Sequence, residues 1–267
     1  MDTTINTTKP FNWKIFFILL AASVFGVIAI LPYVLELQAG TLATINLPIP
    51  LPLLLSLQVL QNAVLFAVAI FIGLVLANRI GLGLPILEAK LAGESVAARI
   101  KAILLPSILL GVAASILIIA LDVFVFQPGM LAQLGSAANA LQTAQPAAWK
   151  GLLASFYGGI NEEILLRLCF LTLLAWLGKF ISHTPEGRPT LLVLWIANIL
   201  AAILFGLGHL PATAILIPLT PLVIVRAVIL NGLAGVVFGY LYWTRGLESA
   251  MLSHFSADII LHVLLAL

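Results

Sequence analysis

The sequence predicts an all-α fold: a polytopic integral membrane bundle of about seven to eight transmembrane helices. Three observations carry this. Of 267 residues, 63% are apolar and only 8% are charged, whereas about a quarter of the residues in a soluble domain are charged. The mean hydropathy is +1.21, and apolar runs of roughly 20 residues, enough to cross a hydrocarbon core about 30 Å thick, recur along the chain. Lys and Arg gather in every second connection between those runs. The net charge of +2 forms no basic run, which argues against a nucleic-acid partner. Cys169 is the sole cysteine, so an intramolecular disulfide and a thiolate metal cluster are excluded.

Taken in order, the first span covers about 15–36. It exceeds the roughly 7–15-residue apolar region of a cleaved signal peptide and reads as a retained anchor. Pro48, Pro50 and Pro52 in Leu47–Leu57 predict a re-entrant or interfacial piece, because proline removes a helix donor. Further spans follow at about 58–78 and 102–126, and Gly135–Gln145 reads as a small polar outer loop. Spans at about 150–178, 191–217, 223–243 and 248–267 complete the count. Residues 1–147 form an N-terminal part of about three spans plus the re-entrant piece, and residues 148–267 a core of about four.

Orientation follows from the cations. Lys9 and Lys14 precede the first span; Arg79, Lys90, Arg99 and Lys101 follow the second; Lys179 and Arg188 follow the fourth; Arg245 follows the sixth. The intervening connections, about 37–57, 127–147 and 218–222, hold no Lys or Arg. The positive-inside rule then places the N-terminus in the cytoplasm and the C-terminus outside. Trp176, Trp195 and Trp243 fall at the expected cytoplasmic ends, where amphipathic rings settle. The Asn6-Thr7-Thr8 sequon lies on that side and is expected to be inert. A prokaryotic plasma membrane is the expected location.

An ionisable residue at a bilayer centre costs about 2.5–3.5 kcal/mol on insertion scales and usually faces a bundle interior or a wet cavity. Span four carries Asn161-Glu162-Glu163 and Arg167, span five His209, and span seven His254, Asp258 and His262. Glu163 and Arg167, four apart, meet on one helix face and pair. Glu162 points about 100° away and is left free to act. Asn198, Phe205 and His209 lie near one face of span five, with Gly206, Gly208 and Pro211 marking a cavity wall. His254, Asp258 and His262 form a polar stripe, and a self-satisfied stripe suffices for His262.

Two hydrolytic chemistries fit. Either Glu162 is a general base that activates water while imidazoles steady the oxyanion, or Glu162, His209, His254 and Asp258 hold a metal that does so. No HExxH, GxGD or GxSxG motif occurs, which disfavours zincin, presenilin-type and serine mechanisms.

Glu162-Glu163-x-x-x-Arg167, Phe205-x-x-x-His209 and His254-x-x-x-Asp258, on three successive hydrophobic segments, resemble the three motifs of the CPBP family, also called Abi. That family comprises type II CAAX prenyl proteases and bacteriocin-processing or immunity proteins. The resemblance runs from about Trp149 to the C-terminus. It implies an intramembrane endopeptidase whose cavity opens toward the cytoplasm. By it, Glu162 activates the water, His209 assists, and His254 with its i+4 partner stabilises the oxyanion, while Glu163 and Arg167 are structural or orient the substrate. Asp258 stands where eukaryotic members have Asn; an ionised carboxylate only accepts hydrogen bonds, so Asp258 is protonated, orients His254 or ligates a metal. The implied cofactor is none, or a divalent metal such as zinc. The implied partners are a membrane-associated or lipidated protein or peptide substrate and the lipid bilayer. The alternatives are a non-enzymatic interaction or immunity protein and a proton-coupled transporter.

Overall fold

The computed structural model describes residues 10–140 and 145–267; Lys9, the Asn6-Thr7-Thr8 sequon and part of the 135–145 loop lie outside them. The described chain is a helical membrane bundle, with no strands among the described residues. Six of its helical stretches are long and apolar enough to cross a membrane.

Helix α1 (Trp13–Leu37) starts where the Asn12 side chain accepts from the Lys14 and Ile15 amides, satisfying donors that have no partner within the helix. A short α2 (Ala39–Thr44) follows. The piece expected at Leu47–Leu57, re-entrant or interfacial, does not form a separate helix. Pro50 is instead the N-cap of α3 (Leu51–Ile80), with Pro52 in its first turn, where a missing N–H costs nothing. The prolines therefore lead into a helix of 30 residues, about 45 Å long. Gly81, at φ 76°, ends it.

After the short α4 (Pro85–Leu91), α5 (Ala97–Leu121) passes through a π-helical turn, Asp122–Phe126, into α6 (Gln127–Leu134). The third span thus runs beyond its expected end, and Gly135–Asn139 coils as a 3₁₀ turn rather than an open loop. Met130 and Ala138 of this extension pack with Ile217 and Val223 as a small second core. The extension thereby covers the connection at 217–223.

The run 148–178 is helical throughout but not regular: α7 (Ala148–Phe156), π-helical turns over Tyr157–Glu162 and Ile164–Leu171, then α8 (Thr172–Gly178). Next come α9 (Leu191–Gly208), α10 (Leu210–Leu216), α11 (Pro221–Arg245) and α12 (Leu247–Asp258), the last continued by a π turn at Ile259–Val263. Helices α9 and α11 are the most closely packed pair, and α12 lies against α5 and α11. The main core surrounds the 148–178 run, with Ile164, Leu168 and Leu171 fully buried. Trp195, early in α9, meets Trp243, late in α11, at 5.1 Å, as antiparallel neighbours with aligned ends require.

The Lys- and Arg-rich connections come together at one end. Arg99 donates to the Pro85 carbonyl at 3.2 Å and Arg245 to the Ala102 carbonyl at 3.1 Å. Glu248 accepts from the Ile86 and Leu87 amides, and the Leu247 amide bonds the Gly83 carbonyl. At the other end stand Lys150 and Arg226, each facing a carboxylate: Lys150 pairs with Glu36 at 2.6 Å, and Arg226 holds both oxygens of Asp122 at 2.6 Å. Arg226, in the second turn of α11, is a charge that hydropathy alone did not single out. Its bidentate pair ties α11 to the end of α5. Arg226→Gln is expected to lower stability by about 1–3 kcal/mol, the cost of leaving a partly buried charged acceptor without its donor, read as a lower thermal unfolding midpoint in detergent.

Candidate active site

Polar side chains of two helical segments, the 148–178 run and α12, meet at Glu163. Both Glu163 and Arg167 are fully buried, and Arg167 Nη1 lies 2.9 Å from Glu163 Oε1. The contact is an ion pair off the N–H direction, since Nη1 makes no hydrogen bond there; coulombic attraction in a dry interior holds it. Arg167 Nη2 donates to the Gly235 carbonyl at 3.0 Å. Its guanidinium lies over the rings of Phe205 and Phe238, at 4.9 and 5.4 Å, contacts in which ring faces attract the cation. The expected i,i+4 pair is therefore present, and it also ties the 148–178 run to α11 and to the Phe205 of α9.

The same oxygen, Glu163 Oε1, lies 2.8 Å from His254 Nδ1. A carboxylate accepts, so Nδ1 carries the hydrogen and donates. This leaves Nε2 of His254 facing Glu162 Oε2 and Asp258 Oδ1, each at 3.6 Å, too long for direct hydrogen bonds. The imidazole is clamped, stacked on Phe238 at 4.5 Å and met edge-on by Phe205 at 5.5 Å. Orientation of His254 thus falls to Glu163, a link that helix periodicity could not reveal because it joins residues 91 positions apart.

Glu162 occupies the other side of the run. Its side chain is 24% exposed against 0% for Glu163, so adjacent glutamates divide into one buried and one facing a cavity. The π-helical winding on either side of Glu163 recurs at functional sites as a local widening of the helix. Gly158 is required here: a Cβ at that position would meet Asp258 Oδ2 and come within 3.0 Å of His254 Nε2. Glycine lets the run approach α12 closely enough for the two segments' polar groups to share one space.

His209 sits at the break between α9 and α10, with Pro211 in the first turn of the second helix. Its Nδ1 donates to the Phe205 carbonyl at 2.8 Å, which leaves Nε2 free. Its ring meets Phe205 edge-on at 4.8 Å. Glu162, His209, His254 and Asp258 all line one cavity of about 720 Å³, although no direct contact joins His209 to Glu162. His262 is 4.0 Å from Asp258 and 3.4 Å from the Tyr33 hydroxyl, so its stripe is only partly self-contained. Tyr33, Tyr157 and Asn231 also line the cavity and were not foreseen; as single polar residues in apolar helices they carry no periodic signal. Among the described residues, no three His, Cys, Asp or Glu side chains converge on a point that would hold a metal ion. The four candidates therefore do not fit a zinc site.

Removal of the shared carboxylate, Glu163→Ala, is expected to destabilise the protein by about 3–5 kcal/mol, because it strands a buried guanidinium. Glu162→Ala, on the cavity wall, is expected to change stability by less than about 1 kcal/mol. Thermal unfolding of the two variants in the same detergent checks the contrast.

No curated protein and no solved structure matches the chain. A family model described as Type II CAAX prenyl endopeptidase Rce1-like matches residues 144–260, a range that contains every candidate side chain above. Residues 144–260 of this membrane protein are therefore similar to the Type II CAAX prenyl endopeptidase Rce1-like family.

Proposed function

We propose that the protein is an intramembrane endopeptidase of the CAAX prenyl protease type that hydrolyses a peptide bond with a glutamate-activated water. The single observation that carries this reading is the gathering of Glu162, His209, His254 and Asp258, from three helical segments, onto the wall of one cavity. The family match supports the same kind of function.

Glu162 is the general base. It faces the cavity while its neighbour Glu163 is occupied by Arg167 and His254. The attacking water lies on the cavity side between Glu162 and the free Nε2 of His209, which accepts its second hydrogen bond. Glu162 takes the water's proton as the oxygen adds to the scissile carbonyl carbon. Protonated His254 donates its Nε2–H to the oxyanion that forms, and Glu163 on Nδ1 and Asp258 beside Nε2 offset the imidazolium charge. Collapse of the intermediate breaks the C–N bond, and the proton held by Glu162 passes to the leaving nitrogen. One water is consumed, and a carboxylic acid and an amine are released. Glu163 and Arg167 are positioning residues in this scheme, and Phe205 packs against both His254 and His209. The substrate is a membrane-associated or lipidated protein or peptide.

Purified protein in detergent is expected to cleave a membrane-anchored reporter peptide, and Glu162→Gln to lose at least about 100-fold in rate while keeping its thermal midpoint, since general-base catalysis contributes about 10²–10⁴-fold. His209→Ala is expected to act in the same direction. Unchanged cleavage by both variants would overturn the reading. Because the candidate donors do not converge as a metal site, prolonged chelation is expected to leave the rate unchanged.

A further inference from the structure

Among the polar side chains on the cavity wall, Tyr33 of α1 and His262 of the π turn that continues α12 take no part in the proposed hydrolysis. Both lie outside residues 144–260, so the family likeness gives them no role. They are 229 positions apart, yet the Tyr33 hydroxyl is 3.4 Å from His262 Nδ1, and the two rings meet edge-on at 5.7 Å. The other ring nitrogen, Nε2, faces Asp258 Oδ1 at 4.0 Å. That same Oδ1 is 3.6 Å from His254 Nε2. One carboxyl oxygen therefore stands between two imidazoles.

Close backbones hold this arrangement. A Cβ at Gly151 of α7 would overlap the His262 carbonyl oxygen, and one at Gly158 would overlap Asp258 Oδ2. The 148–178 run thus abuts the π turn at Gly151 and Asp258 at Gly158. Lys150, next to Gly151, pairs with Glu36 at 2.6 Å. Glu36 lies three residues beyond Tyr33 on α1, on the same side of that helix. The ion pair ties α1 to the segment that supports His262 and so sets the tyrosine against the imidazole.

The neighbours of His262 place its hydrogen. An Nε2 without hydrogen would turn a lone pair onto the Asp258 oxygen, so Nε2 carries the hydrogen and Nδ1 accepts from the Tyr33 hydroxyl. All three separations are longer than ideal hydrogen bonds, and such contacts often tighten once substrate fills a site. In the proposed reaction His254 gives its Nε2–H to the oxyanion, but Asp258 Oδ1 beside it competes for that hydrogen. A donor on the far side of the same oxygen relieves the competition.

We propose that Tyr33 and His262 are positioning residues. Tyr33 fixes the His262 tautomer, His262 donates its Nε2–H to Asp258 Oδ1, and the Nε2–H of His254 stays available to the oxyanion. The pairing stands on geometry alone, whereas its effect on rate rests on the proposed protease function.

Nuclear magnetic resonance of the full chain in detergent, isotope-labelled at the imidazole nitrogens of its four histidines, reads the pairing without substrate. The His262 signals, identified by their loss in His262→Leu, are expected to show hydrogen on Nε2 and to shift in Tyr33→Phe, which removes one oxygen and keeps the ring. Hydrogen on Nδ1, or no shift, overturns the proposal. On a membrane-anchored reporter peptide, His262→Leu is expected to lower kcat by about 10-fold or more, since a displacement of about 1 Å can cost about 100-fold. KM is expected to stay unchanged, because the oxyanion exists only beyond the ground state. His262→Gln, which keeps an acceptor and a donor, is expected to recover most of that rate, and Tyr33→Phe to fall in the same direction as His262→Leu. Unchanged kcat in both His262→Leu and Tyr33→Phe, a loss carried by KM, or no recovery in His262→Gln overturns the proposal. If the unaltered chain cuts no peptide, the protease reading fails and the resonance result alone decides the pairing.

Discussion

The site depends on one oxygen atom. Glu163 Oε1 faces both the Arg167 guanidinium and the His254 imidazole, and neither Glu163 nor Arg167 has exposed surface. A lone buried carboxylate or guanidinium would cost several kcal/mol in desolvation. Sharing lets two donors and one acceptor be buried together, and it couples their positions. The His254 ring is set by a group on another helix, so its Nε2 edge is presented to the cavity. Arg167 reaches the Gly235 carbonyl and two aromatic rings, so the same charge pair fixes α11 and α9 against the 148–178 run.

Such a network needs close backbones. Lipid tails are as apolar as leucine, so helices in a membrane associate through packing and interhelical hydrogen bonds rather than by escaping water. Small residues permit that approach. Gly158 leaves room for Asp258 and His254, and at Gly235 a Cβ would stand 3.0 Å from Ala202 and 3.3 Å from Arg167 Nη2. Polar groups away from the cavity serve the same purpose: Asn161 donates to the Ser23 carbonyl and Asn198 to the Val236 carbonyl, each at 2.9 Å. The cavity forms where the aromatic and aliphatic packing ends.

The division of labour between adjacent glutamates follows from this arrangement. A helix turns about 100° per residue, so one of two neighbours faces the partner helices and the other faces away. Here the inward neighbour carries structure and the outward one faces the cavity. The proposed chemistry uses a group whose position is fixed by the backbone of a segment that the buried pair makes rigid.

Much of this was legible in the sequence because lipid imposes a strong and local rule. Apolar runs of spanning length must be helices, charges cannot be scattered among them without cost, and residues four apart on a helix meet. Those constraints sufficed for the helical bundle, for the Glu163–Arg167 pair and for the short set of residues from which the site is built. They act within one segment, so they are blind to what lies between segments. Leu47–Leu57 looked like a re-entrant piece because proline disfavours a helix interior, but Pro50 and Pro52 stand at a helix start, where that penalty vanishes. The bond from His254 to Glu163, the Asp122–Arg226 pair and the π-helical winding depend on which helices are neighbours and at what depth. Side-chain contact over tens of residues of chain is decided by packing, and only the tertiary structure could supply it.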